Sequence, residues 1–249
     1  MLKKIKTYYR NGETFLNDPF HLAVNKLNSI ERKKQPLRSD IINHIANFLN
    51  RKITYLEIGV RNPNDNFNLI KADIKYSVDP GVEFLENPVD FKMTSDEFFN
   101  QLRDGVVLDK MTRFDIIFVD GLHLADQVER DIENALCFIK EDGFIILHDC
   151  NPPSEFHARE VLQYSISPAM QYWNGTTWKA FFKTRLRNDL FSCCIDTDWG
   201  VGIISKSINL GPHSNVSNPF YEFKTFEQNR KDSLNLMSFE EFKKCLKNK

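Results

Sequence analysis

Two short runs constrain this chain more than anything else in it. One is Phe114-Asp115-Ile116-Ile117-Phe118-Val119, closed by Asp120-Gly121; the other is Gly143-Phe144-Ile145-Ile146-Leu147, closed by His148-Asp149. Both are nearly continuous in apolar residues, yet far shorter than the ~20 residues a membrane-spanning helix needs. Such runs predict strands buried on both faces of a parallel sheet. Between them Val128, Ile132, Ala135, Leu136 and Ile139 mark one face of a helix, with Asp126, Glu129, Arg130 and Glu133 off it. Strand, helical crossover and strand make a right-handed unit. The chain is therefore expected to be an α/β protein built on a doubly wound, mostly parallel sheet.

The same reading extends in both directions. Ser39 is expected to cap a helix whose Ile41, Ile42, Ile45, Phe48 and Leu49 recur at helical spacing, leading into a strand from Ile53 to Val60. A polar turn region over 61–68 and a second strand ending Tyr76-Ser77-Val78-Asp79-Pro80-Gly81 follow, a β-loop-α-β beginning. A shorter strand near Phe91 to Met93 precedes Ser95-Asp96, which suits the cap of a helix carrying Phe98, Phe99 and Leu102. After Pro152-Pro153 regularity loosens until 190–195 and 200–204, which read as an antiparallel hairpin on the sheet edge. The expected organisation is an N-terminal extension with short helices over 1–38, a Rossmann-like domain over 39–208 with an acceptor or lid insertion about 151–188, and a tail over 209–249 without chemistry of its own.

Composition narrows the partners. Hydrophobic residues make up 41% of the 249, enough for a core, and 33 Lys+Arg nearly cancel 34 Asp+Glu, which disfavours both disorder and a polycationic nucleic-acid binder. A small-molecule partner is expected, with neither nucleic acid nor membrane, and a homo-oligomer is left open. The basic start Met1-Leu2-Lys3-Lys4-Ile5-Lys6 is not followed by the apolar stretch of a secretory signal, so a cytoplasmic location is expected. Five cysteines form an odd set without a CxxC pair, and Cys137 and Cys193 lie in apolar segments. They are expected to be reduced thiols.

In doubly wound sheets ligands bind beyond the carboxyl ends of the strands, where strand order reverses. Glu57, Gly59, Asp79, Ser95, Asp120 and His148-Asp149 are the polar residues that close the predicted strands. A glycine after the first strand lets backbone approach a ligand, and a carboxylate beside it favours a cation. Since Gly59 ends a strand, a valine there is expected to block a cofactor and spare the fold. Asp79 is placed to accept from ribose hydroxyls. The loop reads Gly59-Val60-Arg61-Asn62-Pro63-Asn64, with one glycine, so a pyrophosphate cradle of the G-x-G-x-x-G type is poorly supported and a sulfonium fits better. Asn62 precedes a proline and is pushed to extended backbone, which leaves Asn64 or Asp65 to make the tight turn.

The order Tyr55-Leu56-Glu57-Ile58-Gly59, Ser77-Val78-Asp79-Pro80-Gly81, Phe118-Val119-Asp120-Gly121-Leu122-His123 and Asp142 to Asp149 resembles class I S-adenosylmethionine-dependent methyltransferases over about residues 40 to 205. It is most similar to the branch of metal-assisted sugar and macrolide O-methyltransferases and cephalosporin-hydroxylase-like proteins. The resemblance implies that Glu57 and Gly59 contact the methionine part of the cofactor, that Asp79 binds ribose, and that Ser95 lies near adenine. It also implies an O-methyltransferase acting on a small hydroxylated acceptor, of saccharide or natural-product type. A nicotinamide- or nucleotide-sugar-binding Rossmann protein, and a non-catalytic binding module with a degenerate loop, are the alternatives.

Asp120 and Asp149 end strands that neighbour one another in such a fold, so their carboxylates can share an ion. Oxygen ligands suit Mg²⁺ or Mn²⁺, and His148 would tilt the choice toward a metal that accepts imidazole. The bland alternative is a helix cap at Asp120 and a loop anchor at His148-Asp149. His123, in an exposed-looking loop, has the intrinsic pKa of a general base, or is a hydrogen-bonded loop histidine. Catalysis is thus assigned to His123 and Asp120, and metal binding to Asp120, His148 and Asp149. Trp173 and Trp178 flank a Gly-Thr turn and either stack on a sugar ring or plug the core. Asp131 reads as the polar side of its helix, and His44, His157 and His213 carry no chemical context.

Overall fold

The computed structural model describes residues 2–84, 86–164 and 166–247. Two helices open the chain, α1 (Leu2–Leu16) and α2 (Pro19–Glu31), the second capped by Asp18, whose Oδ1 accepts from the amides of Phe20 and His21 at 3.0 and 3.1 Å. These are fuller helices than the short ones expected of residues 1–38.

Then comes α3 (Arg38–Leu49), which begins one residue before Ser39. Asp40 caps it by accepting from the Leu37 amide, and Asn50 ends it in the left-handed conformation. Ser39 is buried within the first turn rather than capping it. The expected apolar residues Ile41, Ile42 and Ile45 do face the core.

The alternation then becomes regular: β1 (Thr54–Ile58), β2 (Ile74–Val78), α4 (Ser95–Asp104), β3 (Phe114–Val119), α5 (Ala125–Phe138), β4 (Ile139–Leu147), α6 (Thr177–Arg185), β5 (Phe191–Ile195) and β6 (Val201–Ser205). The tail adds α7 (Phe223–Gln228), α8 (Arg230–Leu234), β7 (Leu236–Met237) and α9 (Phe239–Lys247). Between β1 and β2 a single 3₁₀ turn at Phe67–Leu69 stands where a helix was expected. Phe91 makes an isolated parallel bridge to Val78, all that forms of the predicted short strand there. Thr94, not Ser95, caps α4, its Oγ1 accepting from the Glu97 amide at 3.2 Å.

The sheet has seven strands in the order β2-β1-β3-β4-β6-β5-β7. β2, β1, β3 and β4 run parallel, β6 is antiparallel to both β4 and β5, and β5 pairs parallel with β7. The predicted mostly parallel sheet with a C-terminal hairpin is what forms. The hairpin does not lie at the edge: β7, from the tail, covers β5, so the sheet reaches past residue 208. Both faces are covered. One packs Leu56, Ile117, Ile145 and Ile204 against α4, α5 and α6; the other packs Tyr55, Ile116, Phe144 and Ile203 against α3 and α9. Burial on both faces is why β3 shows no polar alternation beyond Asp115. Chain order reverses between β1 and β3, so the ligand crevice of such a fold falls beyond Ile58 and Val119.

Candidate functional site

A cavity of about 650 Å³ opens at that point, and Glu57, Gly59, Asp79, Ser95, Asp120 and His123 all line it. Glu57 is buried, its Oε2 accepting from the Tyr55 hydroxyl at 2.6 Å and from Asn66 Nδ2 at 2.9 Å. Burial lifts its carboxyl to about 7, and these two donors only partly oppose the shift. Gly59 has φ 89°, and a Cβ on it would run into the backbone carbonyl of Asp120. The glycine is therefore demanded by the contact between the ends of β1 and β3, so Gly59→Val cannot spare the fold as the sequence suggested. The following turn is made by Asn62 itself: its Oδ1 accepts from the Asn64 amide at 3.1 Å and its carbonyl from the Asp65 amide at 2.9 Å. Neither Asn64 nor Asp65 is left-handed.

Asp79 Oδ1 accepts from the Gly81 amide and from Asn87 Nδ2, both at 2.6 Å. Ser95 is the first residue of α4 rather than a strand end, and its Oγ accepts from Gln127 Nε2 at 3.1 Å. The same Gln127 nitrogen donates to Asp131 at 3.1 Å. Asp131 is not the polar side of its helix. It is buried at 1% exposure, lines the cavity, and burial raises its carboxyl to about 6.

The acids that close β3 and β4 come together. Val119 pairs with Leu147, so Asp120 and Asp149 lie just past the paired ends. Asp149 turns out of the strand with φ 61°, a conformation that aspartate tolerates better than most residues. Both histidines bridge the pair: His123 Nε2 lies 3.2 Å from Asp120 Oδ1 and its Nδ1 3.2 Å from Asp149 Oδ2, while His148 Nδ1 lies 3.2 and 3.1 Å from the same two oxygens. Behind them His148 Nε2 stands 3.4 Å from Asp198, which also accepts from Arg38 at 3.1 Å. Asn174 Nδ2 donates to Asp149 Oδ1 at 2.9 Å.

Three carboxylates, two histidines and one arginine thus share one cluster, with His148, Asp149 and Asp198 buried and Arg38, Asp120 and His123 partly exposed. Burial alone would lift the Asp120 carboxyl, but His148, His123 and Arg38 hold it well below the usual range. Burial would likewise lower His123, but Asp149 and Asp120 outweigh it and raise it to about 9. His148 is raised for the same reason, by Asp120 and Asp149. Donor atoms of Asp120, His123 and Asp149 all lie within 4.8 Å of one another, spacing that suits one metal ion.

His123 is not the exposed loop residue expected. Trp173 stacks on its ring, centroids 5.2 Å apart and planes 24° from parallel, and the His123 carbonyl accepts from the Thr176 amide at 2.7 Å. The two tryptophans part company: only one of them plugs the core. Trp173 lines the cavity, whereas Trp178 is buried against Phe226 at 4.4 Å. His157, which carried no context in the sequence, is fully buried and fixes the N-terminal helices, its Nε2 donating to Asn28 Oδ1 at 2.6 Å while Nδ1 accepts from Ser154. Its neighbours leave no room for charge: burial pushes it down to about 4. The cysteines are free thiols, Cys193 buried as expected and Cys137 exposed on α5. Arg38, Asn66 and Asp131, which line the cavity, and Asn174 and Asp198, which hold Asp149 and His148, belong to the candidate site and were not singled out by the sequence.

Fold and cavity together define a doubly wound domain with a ligand crevice at its switch point. Residues 43–150, which hold β1 to β4 and Glu57, Asp79, Asp120 and Asp149, match the family described as a methyltransferase domain. The match makes residues 43–150 similar to methyltransferase domains and leaves 1–42 and 151–249 outside it. Among curated proteins no sequence matches. Solved structures give loose likenesses. An O-methyltransferase from Bacillus cereus in complex with SAH is 14% identical, with 76% of this chain and 92% of that one covered and a TM-score of 0.45. The O-methyltransferase TomG from Streptomyces achromogenes, in complex with SAM, is 11% identical over 76% and 90% at 0.41. MycE methyltransferase of the mycinamycin pathway, in complex with Mg and SAH, is 15% identical over 75% and 53% at 0.42.

Proposed function

We propose that this chain is an O-methyltransferase that transfers the methyl group of S-adenosylmethionine to a small hydroxylated acceptor of saccharide or natural-product type. The observation that carries the reading is the convergence on one switch-point cavity of Glu57, Asp79 and Ser95 on one side and Asp120 and His123 on the other. The cofactor supplies an electrophilic methyl on a cationic sulfur. Glu57 is poised to favour that cation, since a neighbouring positive charge draws a carboxyl at about 7 into its ionised form. Asp79, with Oδ1 fixed by Gly81 and Asn87, is set to accept from ribose hydroxyls, and Ser95 with Gln127 and Asp131 closes the far end.

The Asp120 side is the acceptor side. Asp120 and Asp149, with His123 or His148 as nitrogen donor, suit a divalent ion such as Mg²⁺ or Mn²⁺. Such an ion would lower the pKa of a coordinated acceptor hydroxyl. Without it, the charges of Asp120 and Asp149 are answered by protonated His123 and His148. A +2 ion can replace those two protons at constant net charge, which returns His123 to the neutral form that can receive the hydroxyl proton. Trp173 holds the His123 ring in place for that transfer.

The test is a thermal-shift and calorimetry panel with S-adenosylhomocysteine, NAD and an ADP-sugar, each with and without EDTA. S-adenosylhomocysteine alone is expected to stabilise the protein, and Asp79→Ala to weaken its binding by ~1.5 to 3 kcal/mol. Stabilisation by NAD or the ADP-sugar instead would replace this reading with a nucleotide-binding one, and a shift with none of them would favour a binding module.

A further inference from the structure

Among the described residues none of the α1 side chains is buried. Leu2, Ile5, Tyr8, Tyr9 and Leu16 are each more than half exposed, at 76, 55, 68, 68 and 69%. At 100° per residue these five fall in an arc of roughly 120°, and Lys3 and Arg10 occupy the opposite side with Lys4 and Lys6 at its two borders. The helix is sharply amphipathic, and within the described residues the protein gives its apolar face little to pack on. It meets the rest of the chain at its C-terminal end, where Phe15 packs on His21.

Two further features say what kind of surface this face awaits. A 15-residue helix with a glycine, Gly12, in its interior is marginal in water unless an amphipathic face is covered. In addition, Lys3, Lys4 and Lys6 crowd the N-terminal turns, the positive end of the helix dipole, where cations destabilise. An anionic surface reverses that penalty, and an apolar interior beneath it takes Leu2, Ile5 and Leu16. Tyr8 and Tyr9 suit the boundary between the two.

We propose that α1 lies in the headgroup region of an anionic lipid bilayer, its apolar arc immersed and its lysines on the lipid phosphates. No helix of the described residues is long and apolar enough to cross a membrane, so the attachment is peripheral. This departs from the membrane-free partner set that the composition suggested, because a local cluster of four basic residues is invisible in a balanced total. A polyanion such as RNA would answer the lysines and leave the apolar arc in water. A second copy of the chain would cover the arc and leave the lysines crowded against the helix dipole. The lid shares the exposure: Val161, Leu162, Tyr164 and Ile166 are exposed, and the Ile166 carbonyl lies 3.3 Å from His21 Nε2 on α2. Leu162 also lines the cavity, so a bilayer bound through α1 would lie close to its entrance.

Co-sedimentation of the full chain with vesicles of phosphatidylcholine, with or without roughly one-third phosphatidylglycerol, tests this. Binding at least tenfold stronger to the anionic vesicles is expected, falling with added salt. Lys3→Gln, Lys4→Gln and Lys6→Gln together should weaken it about 100-fold, and Leu2→Glu with Ile5→Glu should abolish it, with S-adenosylhomocysteine stabilisation unchanged in both variants as the check on folding. Equal binding to neutral vesicles, or none to either, overturns the proposal. So does a wild-type dimer that the Leu2→Glu, Ile5→Glu variant converts to a monomer without any vesicle binding, or retention on RNA that vesicles fail to compete.

Discussion

Strand β3 has an aspartate at each end, Asp115 buried at its start and Asp120 partly exposed to the cavity just past its end, and they are held in opposite ways. Asp115 has no exposed surface. Its oxygens take Arg51 Nε at 2.7 Å, Lys140 Nζ at 2.8 Å and the Thr54 amide at 2.9 Å. Asp120 meets His123 and His148, with Arg38 at 3.8 Å. Arginine and lysine stay charged through the accessible pH range, so the Asp115 contacts are permanent and leave nothing to exchange. Histidines can give up their protons to make room for another cation. The same residue type in the same strand is thus locked where its partners are fixed cations, and exchangeable where they titrate.

The sharpest way to break this contrast is Asp120→Asn. Turnover is expected to fall at least ~1000-fold, about 4 kcal/mol of barrier, while S-adenosylhomocysteine affinity by calorimetry stays within a few fold. Retained turnover would make Asp120 a second Asp115. Gly59→Val should cost about 4 kcal/mol or more of stability in urea unfolding, because the new side chain meets the Asp120 backbone and not merely a ligand. Asp115→Ala should cost about 3 kcal/mol in the same assay, with activity per folded molecule unchanged.

The smallest effect is the pH dependence of two histidines. His157 falls to about 4 in the folded protein from an ordinary 6.5, so the unfolded chain binds more protons between those values. Its contribution is present above about pH 6.5 and lost as pH drops toward 4, by ~2 kcal/mol. His123, raised to about 9, has the opposite sign: in EDTA its contribution is complete below about 6.5 and lost as pH climbs through 9. Unfolding free energies from pH 4 to 9 should therefore show His157→Gln flattening only the acid limb. A flattened alkaline limb in that variant would refute the assignment.

The sheet was legible because burial on both faces leaves an almost pure apolar run, and the strand-end acids were legible because those runs stop at them. Arg38 was not, since α3 starts at a backbone position capped by Asp40, one residue before the serine that looked like a cap. Nor was Asp131: periodicity assigns a residue to a face of α5 but does not say that the face borders a cavity. His123 looked exposed because what covers it, Trp173, lies 50 residues further on. Likewise β7 is two residues long, too short to show a period, and exists by pairing with β5.

The stretch from Trp173 to Thr176 has a consequence for how this protein can diversify. Trp173 stacks on His123, a side chain on Gly175 would collide with the His123 carbonyl, and Thr176 both donates to that carbonyl and accepts from the Ala125 amide at 2.8 Å. Cover and histidine are a single mechanical part. Displacing the cover would therefore also displace the imidazole from Asp120 and Asp149. For the same reason this stretch and His123 cannot drift independently: a change at Trp173, Gly175 or Thr176 is felt at the imidazole.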